Sequence, residues 1–147
     1  SRFDTAMKVS DELKDVMGVE KFDNVIVTDG MNFADALSGS YLAAKKDAPI
    51  LIVNKANEDK VKRYVRANLK EGGTIYILGG TLAVPASFGN GMDGFFTRRL
   101  QGTSRYDTNL EILKEAGVTT ERFLVYFKRS IVKDLVISVS TIQKMKK

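Results

Sequence analysis

The chain has 147 residues, of which 44% are hydrophobic and 28% are charged, and this balance is typical of a globular domain with a buried core. It contains no cysteine and no histidine, which excludes disulfide frameworks, thiol nucleophiles, histidine general bases and the commonest transition-metal ligands. No run of residues approaches the roughly 18 consecutive apolar side chains of a membrane-spanning helix, so we expect no membrane insertion.

The net charge of +5 is confined to the C-terminal segment. Residues 121–147 carry seven basic and two acidic side chains, which accounts for the whole excess, and residues 1–120 are neutral overall. A basic tail of this kind is typical of a solvated helix face. We therefore expect no nucleic-acid partner, despite the basic isoelectric point.

Amphipathic segments alternate with short apolar runs from the start of the chain. Helical spacing of apolar residues predicts helices that begin at Asp4, Asn32 and Asn57, with Gly18 and Pro49 ending the first two. The predicted strands are 25–27, 50–53 and 74–78. Glycines at 72–73 indicate a turn, and residues 81–97 predict a loop around a short helix that begins at Pro85.

Strands that are apolar throughout and separated by helices indicate a parallel sheet with helices on both faces. The connections are long enough for right-handed crossovers between parallel strands. The sequence therefore predicts an α/β unit with the layered architecture of Rossmann and flavodoxin folds. The strand 50–53 is expected to be a buried central strand of this sheet.

The opening motif of the chain occurs twice. Arg-Phe-Asp-Thr at residues 2–5 returns as Arg-Tyr-Asp-Thr at residues 105–108, and each copy precedes an amphipathic segment and an apolar run. The aspartates of the two copies, Asp4 and Asp107, are the predicted N-caps of the helices that follow. A period of about 100 residues predicts tandem small domains rather than a solenoid. We expect one complete unit over residues 1–104 and the beginning of a second over 105–147. The second is either a diverged repeat or a truncated or frame-shifted one.

Four sequence blocks carry a family resemblance. They are the repeated opening motif, Asp-Gly-Met-Asn-Phe-Ala-Asp-Ala-Leu at 29–37, Ala-Ala-Lys-Lys-Asp-Ala-Pro-Ile-Leu-Ile at 43–52, and Ile-Leu-Gly-Gly-Thr-Leu-Ala-Val at 77–84 leading to Arg99. In this order, over residues 1–125, the chain resembles cell wall binding repeat 2 of clostridial and bacillary surface proteins.

The resemblance implies a non-catalytic module without a cofactor, outside the cell on the wall of a Gram-positive bacterium. Its ligand would be an anionic wall polysaccharide of the teichoic-acid type, bound non-covalently. Such repeats usually occur as three in a pseudo-threefold arrangement, so a single unit would need further units or trimer-like self-association. A Pro-Ile-Leu-Leu stretch is linked to wall binding in the family. The corresponding residues here are Pro49, Ile50, Leu51 and Ile52, with isoleucine in place of the last leucine.

Two further sets of residues are candidates for contact with an anion. Gly30 and Asn32 stand where a strand gives way to a helix, and helix N-termini at the carboxyl ends of parallel strands favour anions. The alternative is that they only form a turn and a cap. Arginine offers a planar fork for phosphate or carboxylate, and the candidates of this type are Arg2, Arg99 and Arg105. Their alternative role is in structural salt bridges with Asp35, Asp4 or Asp107.

Two other functions remain open at this point. Asp29 and Asp35 could hold Mg²⁺ in a small phosphate- or nucleotide-binding domain or an enzyme, although the sequence has no Gly-x-x-x-x-Gly-Lys-Ser/Thr loop. The chain could also be an oligomerisation module in which the incomplete second unit docks onto a neighbour.

Overall fold

The computed structural model describes residues 1–31 and 33–118, with side chains described outside 33–37. A first compact unit spans Ser1–Ala116. The elements in order are α1 Arg2–Met17, β1 Phe22–Asp29, α2 Phe33–Lys46, β2 Ile50–Val53, α3 Glu58–Asn68, β3 Leu69–Leu78, α4 Ala86–Asn90, β4 Phe96–Leu100 and α5 Arg105–Glu115. The expectations for Asn32, the side chain of Asp35 and the degenerate segment 126–147 fall outside the described residues.

The four strands form one parallel sheet in the order β2-β1-β3-β4, which confirms the predicted α/β class. The fourth strand was not predicted. Its sequence, Phe-Thr-Arg-Arg-Leu, breaks the apolar pattern because the strand lies at the edge of the sheet, and only Leu100 among its residues is buried. The Gly-Gly pair at 72–73, predicted to be a turn, lies inside β3, where the pairing with β1 is irregular.

Alternate strand residues bury against helices on opposite faces of the sheet. One face packs against α1, α3 and α4 through Met7, Val61 and Phe88, which share a core with Val25 and Ile77. The other face packs against α2 and α5. Its buried residues include Ile26, Leu42, Leu78 and Ile112. The prediction of helices on both faces is therefore confirmed.

The strand β2 is buried, as expected, but it lies at an edge of the sheet and not at its centre. Leu51 and Val53 are fully buried, whereas Ile50 and Ile52 are half-buried. The helix α1 packs against this strand and covers it. The edge position follows from the chain path, since β3 returns to the far side of β1.

The helix starts differ from the prediction at α1 and α5. Ser1 and Ser104 are the N-cap residues, and Asp4 and Asp107 stand three positions later and complete a capping box with each serine. Asn57 occupies the N-cap position of α3 but makes no side-chain capping bond. Its Oδ1 accepts from the backbone N–H of Asn54 at 2.7 Å instead, which stabilises the turn before the helix.

The helix α5 belongs to the first compact unit, which continues to Ala116. It packs on α2 and on β4, although the sequence repeat assigns it to the beginning of the next unit. The boundary between sequence repeats after residue 104 stays a prediction. The packing shows that the core of the first unit includes α5.

Candidate functional site

All four strands end at the same edge of the sheet because they are parallel. The chain leaves β1 for β2 on one side and returns to β3 on the other, so the connections diverge between β1 and β3. Ligands of open parallel sheets bind at such a carboxyl edge. The candidate residues follow β1, β3 and β4 at this edge. The cleft itself lies beside the divergence, at the ends of β3 and β4.

Three of the predicted site residues meet at the end of β1. The Arg2 guanidinium donates from Nη1 to the carbonyl oxygen of Gly30 at 2.8 Å, and its Nη2 lies 3.4 Å from the sulfur of Met31. A Cβ atom on Gly30 would lie 2.6 Å from Cγ2 of Ile52, so a side chain there would displace Ile52. Arg2 and Gly30 thus join the start of α1 to the ends of β1 and β2.

The predicted binding stretch that begins at Pro49 contributes to the sheet. The carbonyl oxygen of Pro49 accepts a 2.9 Å hydrogen bond from the backbone N–H of Ile26, and Leu51 is fully buried. This placement favours an indirect role, in which the stretch supports the fold beneath α1.

Arg99 forms hydrogen bonds with the loop that follows β3. Its Nη1 donates to the carbonyl oxygen of Gly79 at 2.9 Å, and its Nη2 lies 3.4 Å from the carbonyl oxygen of Pro85. Burial lowers the pKa of the Arg99 guanidinium, although arginine stays protonated in proteins. Arg99 therefore holds both ends of loop 79–85.

Arg105 is exposed and lines a surface cleft of about 480 Å³ at the ends of β3 and β4. This volume lies within the roughly 300–1,000 Å³ range of small-molecule sites. The residues that line the cleft are Gly79, Gly80, Thr81, Leu82, Ala83, Gln101, Arg105 and Thr108. Among these described residues one side chain is cationic and none is a carboxylate.

Asp4 and Asp107 do not hold the arginines among the described side chains. The Lys60 ammonium, 2.5 Å from Asp4, and the Ser1 hydroxyl bind the Asp4 carboxylate and hold its pKa well below the usual range. Hydrogen bonds from Thr103 and Ser104 lower the pKa of Asp107 in the same way. The alternative in which these two carboxylates form salt bridges with the arginines is therefore not seen among the described side chains.

The metal hypothesis relied on Asp29 and Asp35. Oδ1 of Asp29 accepts a 3.1 Å hydrogen bond from the backbone N–H of Met31, so this carboxylate supports the turn after β1. Asp35 lies outside the described side chains. Within the part of the chain that the structure describes, no three acidic side chains come together as a metal site would require, and no helix is long and apolar enough to cross a bilayer.

The model of the cell wall binding domain 2 (CWB2) family matches residues 1–88. The chain belongs to this family. The CWB2 chain is also 30% identical over 129 residues to the N-acetylmuramoyl-L-alanine amidase LytC of Bacillus subtilis (strain 168), a match that covers 85% of this chain and 24% of that protein. This chain therefore spans about a quarter of the length of the LytC amidase.

Two solved structures share the fold of this CWB2 unit. Cwp8 from Clostridium difficile superposes with a TM-score of 0.65 at 26% identity, over 78% of this chain and 20% of that one. Cwp6 from the same organism gives a TM-score of 0.59 at 27% identity, over 78% and 18% of the two chains. The CWB2 fold thus matches a small part of each larger protein.

Sequence reasoning missed part of the cleft of the CWB2 unit. Gln101 lines it beside Gly80, where an added Cβ would lie 3.4 Å from the Gln101 side-chain oxygen. Gln101 was missed because strand β4 was not predicted. This strand ends at Leu100 and places Gln101 at the carboxyl edge of the sheet. A Gly-Gly pair after one strand and an arginine after the next is a pattern that could have indicated this cleft.

Proposed function

We propose that this CWB2 unit attaches a surface protein non-covalently to the wall of a Gram-positive bacterium by binding an anionic secondary polysaccharide of the teichoic-acid type. The unit would act outside the cell and without catalysis. The observation that carries the proposal is the cleft at the carboxyl edge, where the exposed Arg105 faces no carboxylate among the described lining residues.

The cleft offers the chemistry that a phosphate or carboxylate on a polymer needs. The Arg105 guanidinium supplies a planar pair of donors, and charge-assisted hydrogen bonds of this kind are about twice as strong as neutral ones. Thr81 and Gln101 add polar side chains beside Gly79 and Gly80, where the backbone carries no side chain. Hydroxyl groups of a sugar can bind these polar groups while its anion binds Arg105.

A single cleft makes few contacts, so we expect weak binding per unit. Polymers repeat their anionic groups, and several units held together multiply the affinity without any new contact. Exposed charges are screened beyond about 10 Å at 0.1 M salt, so wall binding should weaken as salt rises.

The test is co-sedimentation of the protein with purified Gram-positive walls, before and after acid extraction of the secondary polymer. The wild-type protein should pellet with intact walls and stay soluble with extracted walls. Arg105→Gln should weaken binding about tenfold, the loss expected for a charge-assisted hydrogen bond. The matched control is Arg63→Gln on α3, which removes the same charge from an exposed position outside the cleft.

Two outcomes would contradict the proposal. Equal binding to extracted walls would show that the secondary polymer is not the ligand. Equal loss in the Arg105 and Arg63 variants would show that net charge, rather than the cleft, sets the affinity.

A further inference from the structure

The helices α1 and α5 are copies of one repeat helix in a fixed register. A constant offset of 103 residues superimposes their capping boxes, Ser1 with Ser104 and Asp4 with Asp107. Each residue from Arg2 to Glu12 of α1 therefore has a defined counterpart on α5. The two helices nevertheless pack on different parts of the unit, α1 on β2 and α5 on α2 and β4.

The helix α5 buries one face against α2 and β4. Ile112 on this face is fully buried, and the Glu115 side chain is 12% exposed. The Glu115 carboxylate lies 3.5 Å from the Lys46 ammonium of α2 and 2.6 Å from the Arg98 guanidinium of β4. Thr108 is buried on the same face and accepts a hydrogen bond from the backbone N–H of Gly102.

The same face of α1 is uncovered. The counterparts of Thr108, Ile112 and Glu115 are Thr5, Val9 and Glu12. All three are exposed, and Val9 is 61% exposed. Their spacing of four and three residues places them on one side of the helix. The chemistry is retained at each position, since threonine and glutamate are identical and valine replaces isoleucine.

The opposite faces show the reverse pattern. Met7 on α1 is 9% exposed and packs into the core of its own unit, whereas its counterpart Leu110 on α5 is 51% exposed. Phe3 is half-buried, whereas its counterpart Tyr106 is exposed. The repeat helix thus carries two packing faces, and each copy in this structure uses a different one.

We propose that the outer face of α1, formed by Thr5, Val9 and Glu12, docks on the α2–β4 face of another CWB2 unit. There it takes the place that α5 occupies in this structure. Val9 fills the position of Ile112, and Glu12 pairs with the partner unit's copies of Lys46 and Arg98. One helix then belongs to the cores of two consecutive units. The proposal concerns assembly of the units, and none of its evidence involves the wall polymer.

The test is an in-register tandem protein in which residues 1–103 are fused directly before Ser1 of the full chain. The α1 helix of the full chain then stands where α5 of the added copy would begin. We expect both copies to fold, and Val9→Asp in the full-chain copy to lower the melting temperature by more than about 10 °C. In the single chain the same substitution is on the surface and should shift it by less than about 3 °C.

The control for a general effect of charge is Lys8→Asp, at an exposed position beside the proposed face. This substitution should change the melting temperature by the same amount in the tandem and in the single chain. A charge exchange tests the pairing directly. Glu12→Arg in the full-chain copy should destabilise the tandem, and Arg98→Glu in the added copy should restore at least half of the lost melting temperature.

A second fusion distinguishes docking from the folding of the added copy. In it the added copy contains residues 1–118, with its own α5, joined to the full chain by a flexible Gly-Ser linker. If this fusion folds and the added copy of the in-register tandem does not, the proposal is overturned. Equal effects of Val9→Asp in the tandem and the single chain would also overturn it.

Discussion

Arg99 in β4 donates a 2.9 Å hydrogen bond to the carbonyl oxygen of Gly79, the residue that follows the neighbouring strand β3. Its other terminal nitrogen reaches the carbonyl oxygen of Pro85, so one guanidinium joins the two ends of loop 79–85. This loop forms one wall of the cleft that Arg105 lines. The two arginines therefore differ in their surroundings, since Arg99 bonds to the loop and Arg105 is exposed in the cleft.

We expect Arg99→Lys to destabilise the fold by about 1–2 kcal/mol. A lysine ammonium has three donors but only one nitrogen, so it lacks the fixed fork in which Nη1 reaches the Gly79 carbonyl oxygen and Nη2 that of Pro85. We therefore expect one of the two carbonyl oxygens to lose its charged partner. The measurement is the free energy of unfolding in urea, with Arg63→Lys on the exposed face of α3 as the control. Unchanged stability in Arg99→Lys would show that the loop is held by its other contacts.

A glycine in α2 sets the distance between this helix and the sheet. Gly39 is buried, and a Cβ atom there would lie 2.5 Å from Cδ1 of Leu78 in β3. Alanine favours a helix over glycine by about 1 kcal/mol, yet overpacking a core costs about 1–3 kcal/mol. We expect Gly39→Ala to destabilise the protein, as measured by thermal or urea unfolding.

The comparison for this substitution is Gly89→Ala in α4. A Cβ there would meet Ile77 at 3.5 Å, an ordinary contact, so its helix preference should leave stability unchanged or raise it. Leu78→Val removes the Cδ atoms, and Gly39→Ala should therefore cost less in that background. An additive double-mutant cycle would refute the proposed clash.

The apolar strands at 25–27, 50–53 and 74–78 could be predicted because their side chains bury on both faces of the sheet. The strand β4 could not, since it lies at an edge and exposes most of its polar residues. The sequence also placed Arg99 and Arg105 together as candidates beside turns. Their different surroundings depend on burial, which is a property of the packed chain.

The capping residues show a similar limit. Asp4 and Asp107 stand in the repeated motif, and aspartate is a good N-cap, so the sequence favoured them. The serine three positions earlier occupies the N-cap instead, and the aspartate bonds back to it. The spacing Ser-x-x-Asp was visible in both copies of the motif and would have given the correct starts.

Acid should weaken the contact between α3 and α4 through Glu58. Burial of the Glu58 carboxyl opposes its ionised form, but bonds from Lys62 at 2.7 Å and Ser87 at 2.8 Å outweigh burial and lower its pKa below the usual value of a glutamate. A carboxyl whose pKa falls on folding stabilises the protein above its ordinary pKa. That stabilisation is lost as the pH falls through the folded-state pKa.

We therefore expect Glu58→Gln to lose less stability than the wild type between pH 7 and pH 3. The measurement is urea unfolding at a series of pH values. Asp59→Asn, an exposed acid in the same turn, is the control. Parallel pH profiles for the wild type and Glu58→Gln would show that this carboxyl does not contribute to acid sensitivity.

The cap of α5 should affect both stability and wall binding. The Ser104 hydroxyl donates to Oδ2 of Asp107 at 2.8 Å, and its oxygen accepts from the Asp107 backbone N–H at 3.2 Å. Ser104→Ala removes both contacts and should cost about 1 kcal/mol, whereas Ser104→Asn keeps a capping side chain. Because Arg105 is the first residue of α5, a frayed start also lets this arginine leave the cleft.

We expect Ser104→Ala to weaken co-sedimentation with intact walls below the melting temperature, and Ser104→Asn to retain it. If Ser104→Ala lost stability but bound walls fully, the position of Arg105 would not depend on the cap.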